Sequence, residues 1–185
     1  MSAWLRGACD GDYPAAAAYL QQGLEQFRDL GDRLGQAWAL HGLGHLQQAN
    51  GDYQAASASF SQVLRLYQDL GSRHGVTKVL NSLGGLSLAT SAAEEARRYH
   101  GQALAIAREI GAHGEEADAL AGIGLSFLPG SPAEAAPPLL GALAIYQRIG
   151  SPDAQRIEDT LARHGLEAQH LTSPAGQPAA DGRLQ

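Results

Sequence analysis

Residues 37–44 read Ala37-Trp38-Ala39-Leu40-His41-Gly42-Leu43-Gly44. The stretch returns as Thr77-Lys78-Val79-Leu80-Asn81-Ser82-Leu83-Gly84 and again as Ala117-Asp118-Ala119-Leu120-Ala121-Gly122-Ile123-Gly124, each time at an offset of 40. A fixed period of this length decides the fold before any single residue does, because it marks a supersecondary unit copied along the chain. Working outward, Ala56, Leu64 and Leu70-Gly71 recur as Ala96, Leu104 and Ile110-Gly111 at the same offset, then as Ala135, Leu143 and Ile149-Gly150 after 39. One residue is missing near 129–132, where a turn absorbs it. Gly11-Asp12-Tyr13 through Leu30-Gly31 matches Gly51-Asp52-Tyr53 through Leu70-Gly71, so the array is expected to open part-way through a repeat.

Each unit reads as two helices, A and B. Apolar residues fall three or four apart over more than ten positions. Ala37, Leu40 and Leu43 share one face of helix A; Phe60, Val63, Leu64, Tyr67 and Leu70 form a stripe of 3.6-residue period on helix B. Gly31, Gly71, Gly111 and Gly150 each follow an apolar residue where a left-handed residue closes helix B. Asn50-Gly51 supplies the turn inside the first full unit. Ser91 with Glu94, and Ser131 with Glu134, have capping-box spacing, and Pro132 and Pro152 suit the first helical position. Sustained two-residue alternation is missing, which predicts no strands. Gly44, Gly84 and Gly124 in helix A, with Ala56, Ala96 and Ala135 in helix B, predict close approach of the two helix axes. That contact offsets a cost of about 1 kcal/mol for each glycine inside a helix.

The chain has 185 residues, 44% hydrophobic and 17% charged, with a formal net charge of −6. This suits a folded array and disfavours nonspecific nucleic-acid binding, which needs a cationic field. Residues 1–12 lack an apolar signal core, and the apolar runs are shorter than the ~18 residues of a membrane helix. Cys9 is the single cysteine, so an internal disulfide is impossible and a reducing cytoplasm is the expected setting.

These columns resemble the tetratricopeptide repeat: a small residue and Leu-x-x-Leu-Gly in helix A, then a recurring Ala and a large apolar residue in helix B. The match covers residues 13–150. The 40-residue unit exceeds the usual ~34 and is similar to the long repeats of kinesin light chains and of actinobacterial transcriptional-regulator arrays. The resemblance implies an all-α, right-handed α-solenoid of antiparallel helix pairs with a C-terminal capping helix. It implies an array over 1–166: a partial repeat 1–36, full repeats 37–76, 77–116 and 117–150, and a cap 151–166 carrying Ile157 and Leu161. Residues 167–185, rich in Pro and Gly, are expected to be a disordered tail. Trp4 and Leu5 belong either to an array that begins further upstream or to a stub, residues 2–9, that leaves apolar surface open.

In such a superhelix the helix A faces line a concave groove for extended or helical peptides. Carried over by column, the groove candidates are Trp38, His41, His45 and Gln48, then Lys78, Asn81 and Leu88, then Asp118, Ala121, Leu125 and Leu128. Asn81 offers both a donor and an acceptor to a peptide backbone. Lys78 lacks the basic companions with which chaperone-binding arrays clamp a carboxylate. His41 and His45 share a face at metal-ligand spacing but lack further ligands nearby in sequence, so the expectation is no metal. His100 takes the column of Phe60 and reads as a packed histidine; Tyr19, Tyr67, Tyr99 and Tyr146 read as helix B packing residues. The Gly-x-Gly pieces lie within helices, so no phosphate loop is expected, and Glu94-Glu95 and Glu115-Glu116 suit helix starts. Neither a catalytic residue nor a cofactor is expected. Two functions remain: a protein-interaction module of a bacterial regulator that binds a peptide or helix, and self-association through the incomplete N-terminal repeat.

Overall fold

The computed structural model describes residues 13–166. Trp4, Leu5, Cys9 and the 167–185 segment lie outside them. Eight helices follow one another, with no strand among the described residues. They are α1 (Tyr13–Asp29), α2 (Arg33–Ala49), α3 (Tyr53–Asp69), α4 (Arg73–Ala89), α5 (Ala93–Ile110), α6 (His113–Phe127), α7 (Pro132–Ile149) and α8 (Asp153–Arg163). Helices α2, α4 and α6 are the A helices and α1, α3, α5 and α7 the B helices of an α-solenoid. Helix A begins at Arg33, Arg73 and His113, four residues ahead of the repeat boundaries drawn at 37, 77 and 117.

Helix B buries one stripe at i, i+4, i+7 and i+11. In α3 it is Ala56, Phe60, Val63 and Tyr67; in α5, Ala96, His100, Ala103 and Ala107; in α7, Ala135, Leu139, Ala142 and Tyr146. Leu70 is not part of it: it stands at the C-cap of α3, exposed. Tyr19 likewise points outward, 73% exposed, while Tyr67 and Tyr146 are buried. Helix A is covered on two sides, because it packs on its own helix B and on the preceding unit. Hence Ala39, Leu43 and Leu46 are buried as well as Ala37 and Leu40. Burial of this kind, at roughly 1.5–3 kcal/mol per large side chain, needs the neighbouring unit in place. α8 occupies the next helix A position and closes the stack with Ile157 and Leu161.

The recurring glycines are sockets for side chains. A Cβ on Gly44 would stand 2.5 Å from the Phe60 ring, one on Gly84 2.4 Å from His100, and one on Gly124 2.5 Å from Leu139. Close approach is thus between a glycine and the large residue of one helix B column. A second socket joins consecutive units: Gly35 meets the Phe27 ring and Gly75 the Tyr67 ring. In the third copy both sizes reverse, with Ala107 in the aromatic column and Glu115 in the glycine column.

The connections share one geometry. Except at the α6–α7 link, the residue after the left-handed position donates to the carbonyl five back, and the left-handed residue itself to the carbonyl three back. Asp32 N–H to Phe27 O with Gly31 N–H to Arg28 O is one instance, and Ala92 N–H to Ser87 O with Ser91 N–H to Leu88 O another. This is the Schellman turn, which needs a left-handed residue. Gly31, Gly51, Gly71, Ser91, Gly111 and Gly150 supply it, all with φ between 60 and 83°. Ser91 therefore sits in the glycine column and cannot cap: Ala92 is the N-cap of α5 and makes no side-chain bond. Ser131 precedes α7 without a side-chain cap, and Pro152 stands at the N-cap of α8. Side-chain caps appear instead where Asp32, Asp52 and Ser72 accept from the N–H groups of Gly35, Ala55 and Gly75. The α6–α7 connection, where the residue is missing, makes Ser131 N–H to Phe127 O at 2.7 Å instead of the five-back bond.

Candidate functional site: the concave groove

The A faces of α2, α4 and α6, with α8 and the Tyr146 side chain, enclose a groove of about 680 Å³. Of the residues expected there, His41, His45, Gln48, Lys78, Asn81, Asp118 and Leu125 line it, as do Leu88 and Ala121. Trp38 is half exposed and stands one turn before His41 on the same helix, just beyond these lining residues. Leu128 packs against the C-terminal core instead.

His41 Nε2 lies 2.8 Å and His45 Nε2 3.3 Å from Ser82 Oγ, whose own hydrogen reaches the Lys78 carbonyl at 3.2 Å. One hydroxyl has two lone pairs and one hydrogen, so two neutral imidazoles donating to it saturate it. The trio ties the groove face of α2 to that of α4. Burial, then the charges of His45 and Lys78, lowers the His41 pKa to about 4; burial lowers that of His45. Both rings also pack edge-on against Phe60.

Asn81 is engaged within the fold. Its Nδ2 donates to the Glu115 carbonyl at 3.0 Å, which turns Oδ1 toward His100 Nδ1 at 3.0 Å. His100 must then carry its hydrogen on Nδ1 and hold a bare lone pair at Nε2. That atom is buried without a partner, wedged between Gly84 and Gly122. Burial lowers the His100 pKa to about 4. Asn81 is a strut that fixes this wedge and joins α4 to α6.

The size reversal at Glu115 brings a carboxylate to the groove. Its Oε1 lies 3.9 Å from Lys78 Nζ and 3.4 Å from His74 Nε2. Asp118 accepts from the Tyr146 hydroxyl at 2.5 Å. Loss of solvent, then Asp153 and Glu115, raises the Asp118 pKa against the Tyr146 bond. Arg156, also on the wall, is paired with Asp153 at 3.2 Å. Sequence columns missed Ser82, Gly85, Glu115, Tyr146 and Arg156. The first three lie one to four residues from expected groove positions. Tyr146 comes from helix B and Arg156 from the cap, which the helix A columns did not include.

Among the described residues, no group of three or more His, Cys, Asp or Glu side chains could hold a metal ion, and no helix is long and apolar enough to cross a membrane.

Residues 7–69 match the family model of the tetratricopeptide repeat. No curated protein matches the sequence. Among solved structures, the chain is similar to the apo form of RapI (TM-score 0.76, 12% identity, 90% of this chain and 62% of that one). It is also similar to kinesin light chain TPR-like repeats of Podosopora anserina (0.69, 19%, 91% and 84%). A third is a signal transduction ATPase with a tetratricopeptide repeat sensor from Pyrococcus horikoshii (0.63, 16%, 83% and 27%). At these identities the likeness is one of fold, and that fold supports a protein-interaction repeat module. The columns of the matched segment recur twice more and stack the same way, so the chain has the fold of a tetratricopeptide-repeat array with long units.

Proposed function

We propose that the chain is a non-catalytic protein-binding module that takes a peptide or helix of another protein in its concave groove. The observation that carries this is the groove itself, 680 Å³ lined by three successive A helices and the cap, with apolar and polar side chains interspersed. In this reading Trp38, His41, His45, Gln48, Lys78, Asp118 and Leu125 face the ligand, and Asn81 acts by holding His100. The setting is a bacterial cytoplasmic regulator of transcription in which the array 1–166 is the sensory or docking part and 167–185 a tail. The likeness to an array that serves as a sensor in a signal transduction ATPase supports it.

Gly85 provides the test. It lines the groove, and a Cβ there meets nothing within 4 Å. Gly85→Gln should fill the groove while raising helix propensity by up to about 1 kcal/mol. Panning the full chain against a displayed library of random twenty-residue peptides should recover peptides that Gly85→Gln fails to retain at unchanged helix content. Peptides that bind both proteins equally would take the groove out of the reading.

Self-association is a second reading, favoured by Tyr19. It is 73% exposed on α1, whereas Tyr99, in the same column of α5, packs partly buried against the core. Light scattering should show a dimer that Tyr19→Ser reduces to a monomer; a monomer in both ends this alternative.

A further inference from the structure

Along two neighbouring columns of the groove face the three units differ in chemistry. α2 presents Leu34 and Trp38, 58% and 50% exposed. The equivalent residues of α4 are His74 and Lys78, and those of α6 are Gly114 and Asp118. Leu34 and Trp38 continue the His41 and His45 face by one to two turns, since residues three and four apart on a helix are neighbours. This face therefore runs from apolar, through basic, to acidic.

The charges are unequally matched. Lys78 faces the Glu115 carboxylate and Arg156 is held by Asp153. Asp118 receives one hydrogen bond, from Tyr146, which fixes Oδ1. Of the two carboxylates on the groove wall, Glu115 has cationic neighbours within 4 Å, whereas Asp118 bonds to a phenol and feels Arg156, a cation already paired with Asp153, only from beyond ion-pair distance. A ligand cation is the natural complement to such a group, while a ligand carboxylate there would meet Asp118, Glu115 and Asp153 together.

We infer that the groove has an apolar and an acidic end and selects a protein segment carrying a large apolar side chain for Leu34 and Trp38 and a lysine or arginine for Asp118. This rests on the groove reading above and adds to it a direction and a charge. Two helix-packing steps separate α2 from α6, roughly 20 Å. The two anchors would then be about six residues apart in an extended segment, or about thirteen in a helical one. His41, His45 and Ser82, saturated among themselves, form the neutral floor between them.

A displayed library of random twenty-residue peptides tests this on the full chain. Peptides retained by the wild type should pair Trp, Phe or Leu with Lys or Arg at a fixed spacing. Asp118→Asn should weaken selected peptides roughly two- to fivefold, the worth of an exposed ion pair. Asp118→Lys should turn the enriched charge from basic to acidic, and Trp38→Ser should cost about 30-fold or more if that side chain is an anchor. Enrichment without charge preference, or a preference that Asp118→Lys leaves unchanged, overturns the inference while leaving the groove reading intact. Recovery of no peptide overturns both. A synthetic peptide of residues 167–185 that outcompetes every selected sequence makes the chain's own segment the occupant and overturns an external partner.

Discussion

The two ends of the stack are built from the same columns yet filled differently. The N-terminal units share a core of Leu20, Leu24, Leu40, Leu43, Phe60, Val63 and Tyr67. The C-terminal unit and cap share another, of Leu139, Tyr146, Ile157 and Leu161. Between them lies a waist whose own buried apolar cluster is Leu80, Ala103 and Ala119 and where His100 takes the ring column. Equal spacing of repeats thus does not mean equal cohesion. Stability in a stack is a sum of unit and interface terms, and the α5–α6 interface replaces rings by alanines, a histidine and its asparagine strut.

The largest expected effect lies in the N-terminal core. Phe60→Ala should cost about 3–5 kcal/mol in urea denaturation, by opening the Gly44 socket. His100→Phe, which places the same ring at the waist between Gly84 and Gly122, should change stability by less than about 1.5 kcal/mol. If the two substitutions prove equally damaging, the contrast between core and waist is gone.

Acid should act on the waist next. The His100 pKa is lowered to about 4 from an ordinary 6.5, so between these values the unfolded chain binds more protons than the folded one. Stability therefore falls as pH drops from about 6.5 to about 4 and levels off below. At about 1.4 kcal/mol per unit, His100 accounts for roughly 3 kcal/mol. His41, lowered likewise to about 4, adds in the same direction. His100→Phe should flatten the profile in part; an unchanged profile removes His100 from it.

Neighbouring glycines give a finer test. Gly84→Ala should cost about 1–3 kcal/mol, because the His100 ring it meets is held from the other side by Gly122. Gly85→Ala should gain up to about 1 kcal/mol. A gain at both positions would mean that the ring moves freely and that the socket is no constraint. Smallest of all is the outer ladder, where Arg33 pairs with Asp69 at 2.6 Å and Arg73 with Glu109 one repeat later. Arg33→Ala should cost less than about 1 kcal/mol, since both partners are half exposed.

The sequence made the helix pairs and most of the groove legible because both depend on position within a period. Leu125 and Asp118 reach the groove for the same reason as His45 and Lys78: they stand in the same columns. What stayed hidden depends on side-chain contacts across units. Asn81 looked available to a ligand, but its engagement with His100 and Glu115 joins residues 19 and 34 positions away. The glycine sockets were visible as small residues without their partners. Ser91 imitated a capping box because the left-handed column beneath it was read only at the ends of helix B. Tyr19 was read with the other helix B tyrosines as a packing residue, and α1 leaves it exposed.

The uniform turn has an evolutionary corollary. From α1 to α4 every helix is 17 residues long and every link three, so the chain advances in equal steps and identical joints recur at each one. Tandem duplication or excision of a forty-residue segment would leave all surviving joints intact and change only how many bays the trough has. Ligand length would then be a matter of copy number, while ligand preference could be edited one bay at a time by swapping a residue such as Trp38, Lys78 or Asp118.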